Sequence, residues 1–92
     1  MLILHPHFPG GRLVATPAAI EATSKEVLFG FLERHFSCDW GDVSDNDARA
    51  NELALRHGLR IMSWYQTSSG ARIQIITEAD RSATTILLAK EY

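Results

Sequence analysis

The chain has 92 residues, 46% of them hydrophobic and 22% charged, with a formal net charge of −2. That length makes one domain with one core, and the composition excludes a wholly disordered chain. A nearly balanced, slightly acidic chain lacks the general basic surface that neutralises phosphates, so nucleic acid is not the expected partner.

No apolar run approaches the roughly 20 residues that span a bilayer. Met1 to Pro6 lacks the basic start and apolar centre of a signal peptide. The single cysteine, Cys38, forms no internal disulfide, and the expected location is the cytoplasm.

In chain order, Leu2-Ile3-Leu4 reads as a short strand, stopped by His5-Pro6 and by Pro9-Gly10-Gly11. Residues 1–12 therefore read as a flexible or edge-strand arm. Leu13-Val14-Ala15 is a second short apolar run. Thr16-Pro17 opens a short helix to about Ala22, with Thr16 as cap and Pro at the first helical position. Thr23-Ser24-Lys25-Glu26 reads as a capping box for a second helix, Ser24 to about His35. Its stripe is Val27, Leu28, Phe31 and Leu32, with Phe29 and Phe36 to the side. Gly30 inside that helix suggests close approach by another element.

A turn-rich link, Ser37 to Val43, leads to a third helix capped by Ser44, with Asp45 and Asp47 in the first turn where the helix dipole favours them. Ala48, Ala50, Leu53, Ala54 and Leu55 form its stripe, and Gly58 ends it in the left-handed conformation. Three strands follow at Arg60–Gln66, Ala71–Thr77 and Ala83–Ala89, joined by short turns that demand antiparallel neighbours. The expected fold is α+β: a three-stranded antiparallel meander, extended at most by an N-terminal strand, packed against two main helices. An exposed sheet edge would suit a second copy.

Several groups have the residue types of a site. Glu78 and Asp80, beside Arg81, would make an acid–base carboxylate pair if burial separated their pKa values. The simpler reading is that Asp80 and Ser82 bond the turn backbone. Five acids against one base lie between Asp39 and Glu52, a solvated acidic face. Asp39 or Asp42 is expected to reach Arg81 or the 78–82 turn, which would place an acidic ligand site between link and turn. His35, Cys38 and Asp39 have the types of a thiol triad, but a histidine at a helix end more often bonds the last carbonyls. His5 and His7 fall short of a zinc site, and the acids around Asp42 do not match a calcium loop. No metal or cofactor is therefore expected. Trp64 and Tyr65, with Trp40, are candidate partner anchors. A nucleic-acid surface would need Arg34, Arg56, Arg60 and Arg72 on one face.

Arg34-His35, Asp39-Trp40-Gly41-Asp42, Asp47, Asn51-Glu52, Arg60-Ile61, the run Ile75 to Leu88 and Glu91-Tyr92 together resemble a family of small proteins carried on bacterial plasmids and integrated mobile elements, labelled plasmid-related proteins. The resemblance covers Arg34 to Tyr92, and Thr77 to Thr85 is its most specific part. Where that pattern has glycine, this chain has Cys38, and Ala89-Lys90 replaces a proline-containing ending. The resemblance implies a bacterial, cytoplasmic setting and carries no catalytic residues. The expected function is that of a non-enzymatic accessory protein acting through protein–protein contacts.

Overall fold

The structure, a computed structural model, describes residues 6–92. It is α+β, with three helices and a four-stranded mixed sheet: β1 (Arg12–Ala15), α1 (Pro17–Ala22), α2 (Lys25–Phe36), α3 (Asp45–His57), β2 (Ile61–Gln66), β3 (Arg72–Thr77) and β4 (Ala83–Leu88), then a 3-10 turn (Ala89–Glu91). The sheet order is β1-β4-β3-β2. The meander β2–β3–β4 is antiparallel as its short turns require, with Ile61 opposite Thr77 and Thr77 opposite Thr84. β1, however, pairs parallel to β4, Arg12 with Ala83 and Ala15 with Ile86. The sheet is therefore mixed, because β1 returns to β4 only after the helices and the meander. The Leu2-Ile3-Leu4 strand lies outside the described residues. Residues 6–11 form no strand, and Phe8 enters the core at 6% exposure.

Strand alternation puts Ile61, Ser63, Tyr65, Ile73, Ile75, Thr77, Thr84 and Ile86 on one face. Leu28, Phe31, Leu32, His35 and Phe36 of α2 are buried, at the i, i+3, i+4, i+7 spacing of one helical face. Phe31 stacks on Tyr65 at 4.8 Å, which sets α2 against that sheet face. Val27, expected in the stripe, is 38% exposed, and Phe36 is 3% exposed; the stripe turns toward the helix's C-terminal end.

The caps follow local chemistry. Thr16 accepts from the Ala19 amide at 3.1 Å and Ser44 from the Asp47 amide at 3.1 Å. The cap of α2 is Ser24, which accepts from Val27 at 3.2 Å. Thr23 does not take that place because it is the extended residue that ends α1. Gly58 is left-handed, and the Leu59 amide reaches back to the Ala54 carbonyl.

In α3 the expected stripe is displaced: Leu53 is 51% exposed, while Asn51 and Ala54 face inward. On the far sheet face Gln74 is 1% exposed and its Oε1 is unpaired among the described residues. Among these residues no helix is long and apolar enough to cross a membrane.

Gly30 does not serve close approach, since a Cβ there would meet nothing within 4 Å. Gly30→Ala is therefore expected to stabilise the fold by about 0.5–1 kcal/mol through the lost backbone freedom of the unfolded chain. Denaturant melting of the variant beside the parent measures it, and a lower midpoint would show that the open space is needed.

Candidate functional site

The turn between β3 and β4 is held by its own residues. The Ser82 amide donates to Asp80 Oδ1 at 2.9 Å, and bonds from Ser82 hold this exposed carboxyl below its ordinary pKa. Glu78 turns the other way, toward Arg60 at 3.7 Å. The two carboxylates thus have separate partners. Arg81 adopts φ 61° and sends its guanidinium to the C-terminal end of α3. Nη2 donates to Ala54 O at 2.9 Å, and Nη1 to Leu59 O at 2.6 Å and Glu78 O at 3.1 Å. A cation at the carbonyl end of a helix is favoured by the helix dipole, and here it adds a donor to a carbonyl that the Gly58 and Leu59 amides already meet.

The 39–42 link sits elsewhere. Asp39 receives Arg34 Nε at 2.7 Å and Nη2 at 3.3 Å. This bond lowers the Asp39 pKa and raises that of Arg34. Trp40 is buried at 6% exposure, and its Nε1 donates to Glu52 at 3.2 Å. Gly41 forms a parallel bridge with Trp64. Among the described residues, no hydrogen bond or ion pair joins Asp39 or Asp42 to Arg81 or to the turn. The expected acidic site between them is not formed, because Arg34 takes Asp39 and the helix end takes Arg81.

Tyr65 is no surface anchor. It is 1% exposed, and its hydroxyl donates to Asp39 O at 2.7 Å; burial raises its pKa. Trp64 is half-buried on the opposite face with Arg72 over its ring at 5.0 Å. Arg34 stands over Tyr65 at 4.8 Å, so Arg34 and Arg72 lie on opposite sides of the sheet. The four arginines make no single basic surface.

What the link does is close an edge. The Trp64 amide donates to Trp40 O at 3.0 Å, and the Asp42 amide to Trp64 O at 2.7 Å. Two residues earlier, the Asn51 side chain donates to Met62 O at 2.8 Å and accepts from the Met62 amide at 3.1 Å. Of the three outward-facing residues of β2, Gln66 has no such bond among the described residues, while at Met62 and Trp64 the edge is paired. Gly41 makes this possible: at φ +73° a Cβ would stand 2.0 Å from Trp64 O.

The β1 edge differs. Arg12 and Thr16 donate inward to Ser82 O and Ile86 O, so the two-residue period turns the backbone groups of Leu13 and Ala15 outward. No backbone hydrogen bond among the described residues meets them there. Leu13 and Val14 are 46% and 40% exposed.

His35 does not satisfy helix carbonyls. It is fully buried, with Nδ1 2.5 Å from Ser63 Oγ and Nε2 2.8 Å from Thr77 Oγ1. Thr77 Oγ1 lies 2.8 Å from Thr84 Oγ1, and the Thr84 hydroxyl donates to Gly10 O at 2.8 Å. Because a carbonyl only accepts, the donor order is fixed: Ser63 O–H to Nδ1, Nε2–H to Thr77, Thr77 to Thr84, Thr84 to Gly10. The histidine is the neutral Nε2–H tautomer, and burial lowers its pKa to about 3. The Ser63–His35 pair has the residue types of a nucleophile and base, yet both are at 0% exposure. Both ring nitrogens are occupied within this chain, neither by Cys38, whose thiol burial pushes up. Sequence reading missed the chain; the signal was a histidine one helical turn beyond Phe31 on the buried face.

Comparison with known proteins returns no match: no family model, no curated protein and no solved structure aligns significantly with this chain. Among the described residues no group of three or more His, Cys, Asp or Glu is placed to hold a metal.

Two outcomes follow from these contacts. The His35 pKa is about 3 folded against about 6.5 unfolded, so the unfolded state binds more protons below pH 6.5. Its contribution is complete above that pH and is lost as pH falls toward 3, about 2 kcal/mol between pH 7 and pH 5. Urea melts should show that slope, and His35→Gln should be less stable overall but lack it. Arg81→Ala removes a cationic donor from the Ala54, Leu59 and Glu78 carbonyls, of which Ala54 keeps the Gly58 and Leu59 amides. It should cost about 1 kcal/mol. An unchanged melting midpoint for Arg81→Ala would remove its role as a helix cap.

Proposed function

We propose that the protein is a non-catalytic docking module that captures an extended segment of a partner protein on the β1 edge. The observation that carries this reading is the contrast between the two sheet edges. Side-chain and link groups pair Met62 and Trp64, two of the three outward residues of β2. Among the described residues, the outward amides of Leu13 and Ala15 are both open and flanked by exposed apolar side chains. An added strand would gain main-chain hydrogen bonds at Leu13 and Ala15, with Leu13 and Val14 as side-chain contacts on either face. Natural sheets usually protect such an edge, and this sheet pairs most of its other one. The resemblance to plasmid-related proteins supports a cytoplasmic accessory role in a bacterial mobile element. A second copy of the chain, meeting β1 against β1, is one form the partner can take.

The test is Ala15→Pro, which removes an outward donor and no bond to β4, with Leu13→Lys beside it. Crosslinking and pull-down from a bacterial host should recover a specific partner with the parent and lose it with both variants, while melting midpoints change little. Sedimentation of the purified chain shows whether that partner is a second copy. Recovery undiminished by both variants, or no specific partner at all, overturns the reading.

A further inference from the structure

The end of the sheet away from the 78–82 turn holds a cavity of about 520 Å³. It opens between the last residue of α1, the turn from β2 to β3 and the chain leaving β4. Ala22, Ala71, Leu88 and Ala89 form an apolar wall, and Arg72 and Lys90 supply its charged side chains. Gly70, at φ +92° with nothing within 4 Å of a built Cβ, leaves the entrance clear.

The charge of this lining runs against that of the chain. The whole protein carries −2, yet the lining has two cations and no acid. The adjacent acid, Glu91, lies outside the lining; the Leu88 amide and the Thr16 hydroxyl both donate to its Oε1 at 2.8 Å, and its charge also acts on neighbouring Lys90. Neither Arg72 nor Lys90 is ion-paired among the described residues. Trp64 supports the Arg72 guanidinium from one side at 5.0 Å, which holds its position and leaves the N–H edge available for two-point contact with a planar anion.

We propose that this cavity binds a single-chain aliphatic carboxylate of about eight to ten carbons, a size in keeping with small-molecule pockets of this volume. The tail lies on the Ala22–Leu88–Ala89 wall, and the carboxylate is held between Arg72 and Lys90. A cationic amphiphile would meet repulsion from the same two side chains, and a neutral one would forgo the charged contacts. This site is separate from the β1 edge, and the proposal does not rest on strand capture.

The test is an amide-resolved NMR titration of the intact chain with sodium decanoate below its micelle concentration. Saturable shifts are expected at Gly70, Ala71, Leu88 and Ala89, and octanoate should bind roughly tenfold more weakly for its two lost methylenes. Arg72→Gln with Lys90→Gln, both at exposed positions, should weaken decanoate about tenfold or more and leave decanol within about twofold, since a charge-assisted contact is lost only for the anion. Ala22→Phe should block both ligands. The proposal is overturned by any of three results: no saturable shift, decyltrimethylammonium binding as well as decanoate, or a double variant that binds decanoate like the parent. Shifts confined to Arg12–Ala15 would also overturn it, since they would put the ligand on the strand edge.

Discussion

The fold depends on one directional chain of hydrogen bonds through its core, Ser63 to His35 to Thr77 to Thr84 to the Gly10 carbonyl. It joins α2, three strands and the segment before β1; His35, Thr77 and Thr84 each have a partner on both sides, and the chain ends on a carbonyl. A buried polar group without its partner costs roughly 1–3 kcal/mol, so such a chain specifies a single arrangement more strictly than apolar contact does. Phe8, Phe36 and Trp40 meet the imidazole edge-on at 5.4, 5.4 and 6.0 Å and keep water from it. Gly10 is glycine for the same reason. A Cβ there would stand 2.3 Å from the Phe36 ring and 3.0 Å from the Thr84 hydroxyl, displacing the last link.

With the sheet fixed on one face by this chain, its edges are settled by different means. A small sheet exposes backbone donors and acceptors at both sides. On β2 the Asn51 amide imitates a neighbouring strand's peptide group, and the 40–42 backbone continues the imitation one outward residue later. On β1 there is a four-residue strand, held by parallel pairing, the slightly weaker geometry per residue. The difference is built from particular residues rather than from strand length, which makes the β1 edge the more informative surface.

How much of this was legible in the sequence depends on the range of each interaction. Thr16, Ser44 and Gly58 act within one turn of themselves, and the helix boundaries that they mark agree with the structure to within a residue or so. The antiparallel meander was equally readable, because four- and five-residue turns allow little else. β1 was not, since its partner lies about seventy residues on and parallel pairing leaves no turn signature. The same limit hid His35, Asn51 and Arg81. His35 read as a helix-end histidine and Arg81 as the partner of Asp39 or Asp42, whereas these two and Asn51 are bound to other residues distant in sequence. Cys38 is an instructive case: its φ of 65° is one that glycine adopts without strain, and nothing in its residue type announces it.

These placements change what the polar residues can be doing. Asp39, Arg34, Trp40 and Tyr65 close the end of α2 against β2; Arg81 caps α3; Asp80 and Ser82 hold their own turn. Each is occupied by a contact that folding needs, and a side chain used twice would weaken the fold whenever it bound something else. Binding is better carried by groups whose release costs the core nothing. Among the described residues, the outward amides of β1 and the cations Arg72 and Lys90 meet that condition. They lie beside the polar core rather than in it, so a change at either can alter recognition without disturbing the hydrogen-bond chain on which the structure rests.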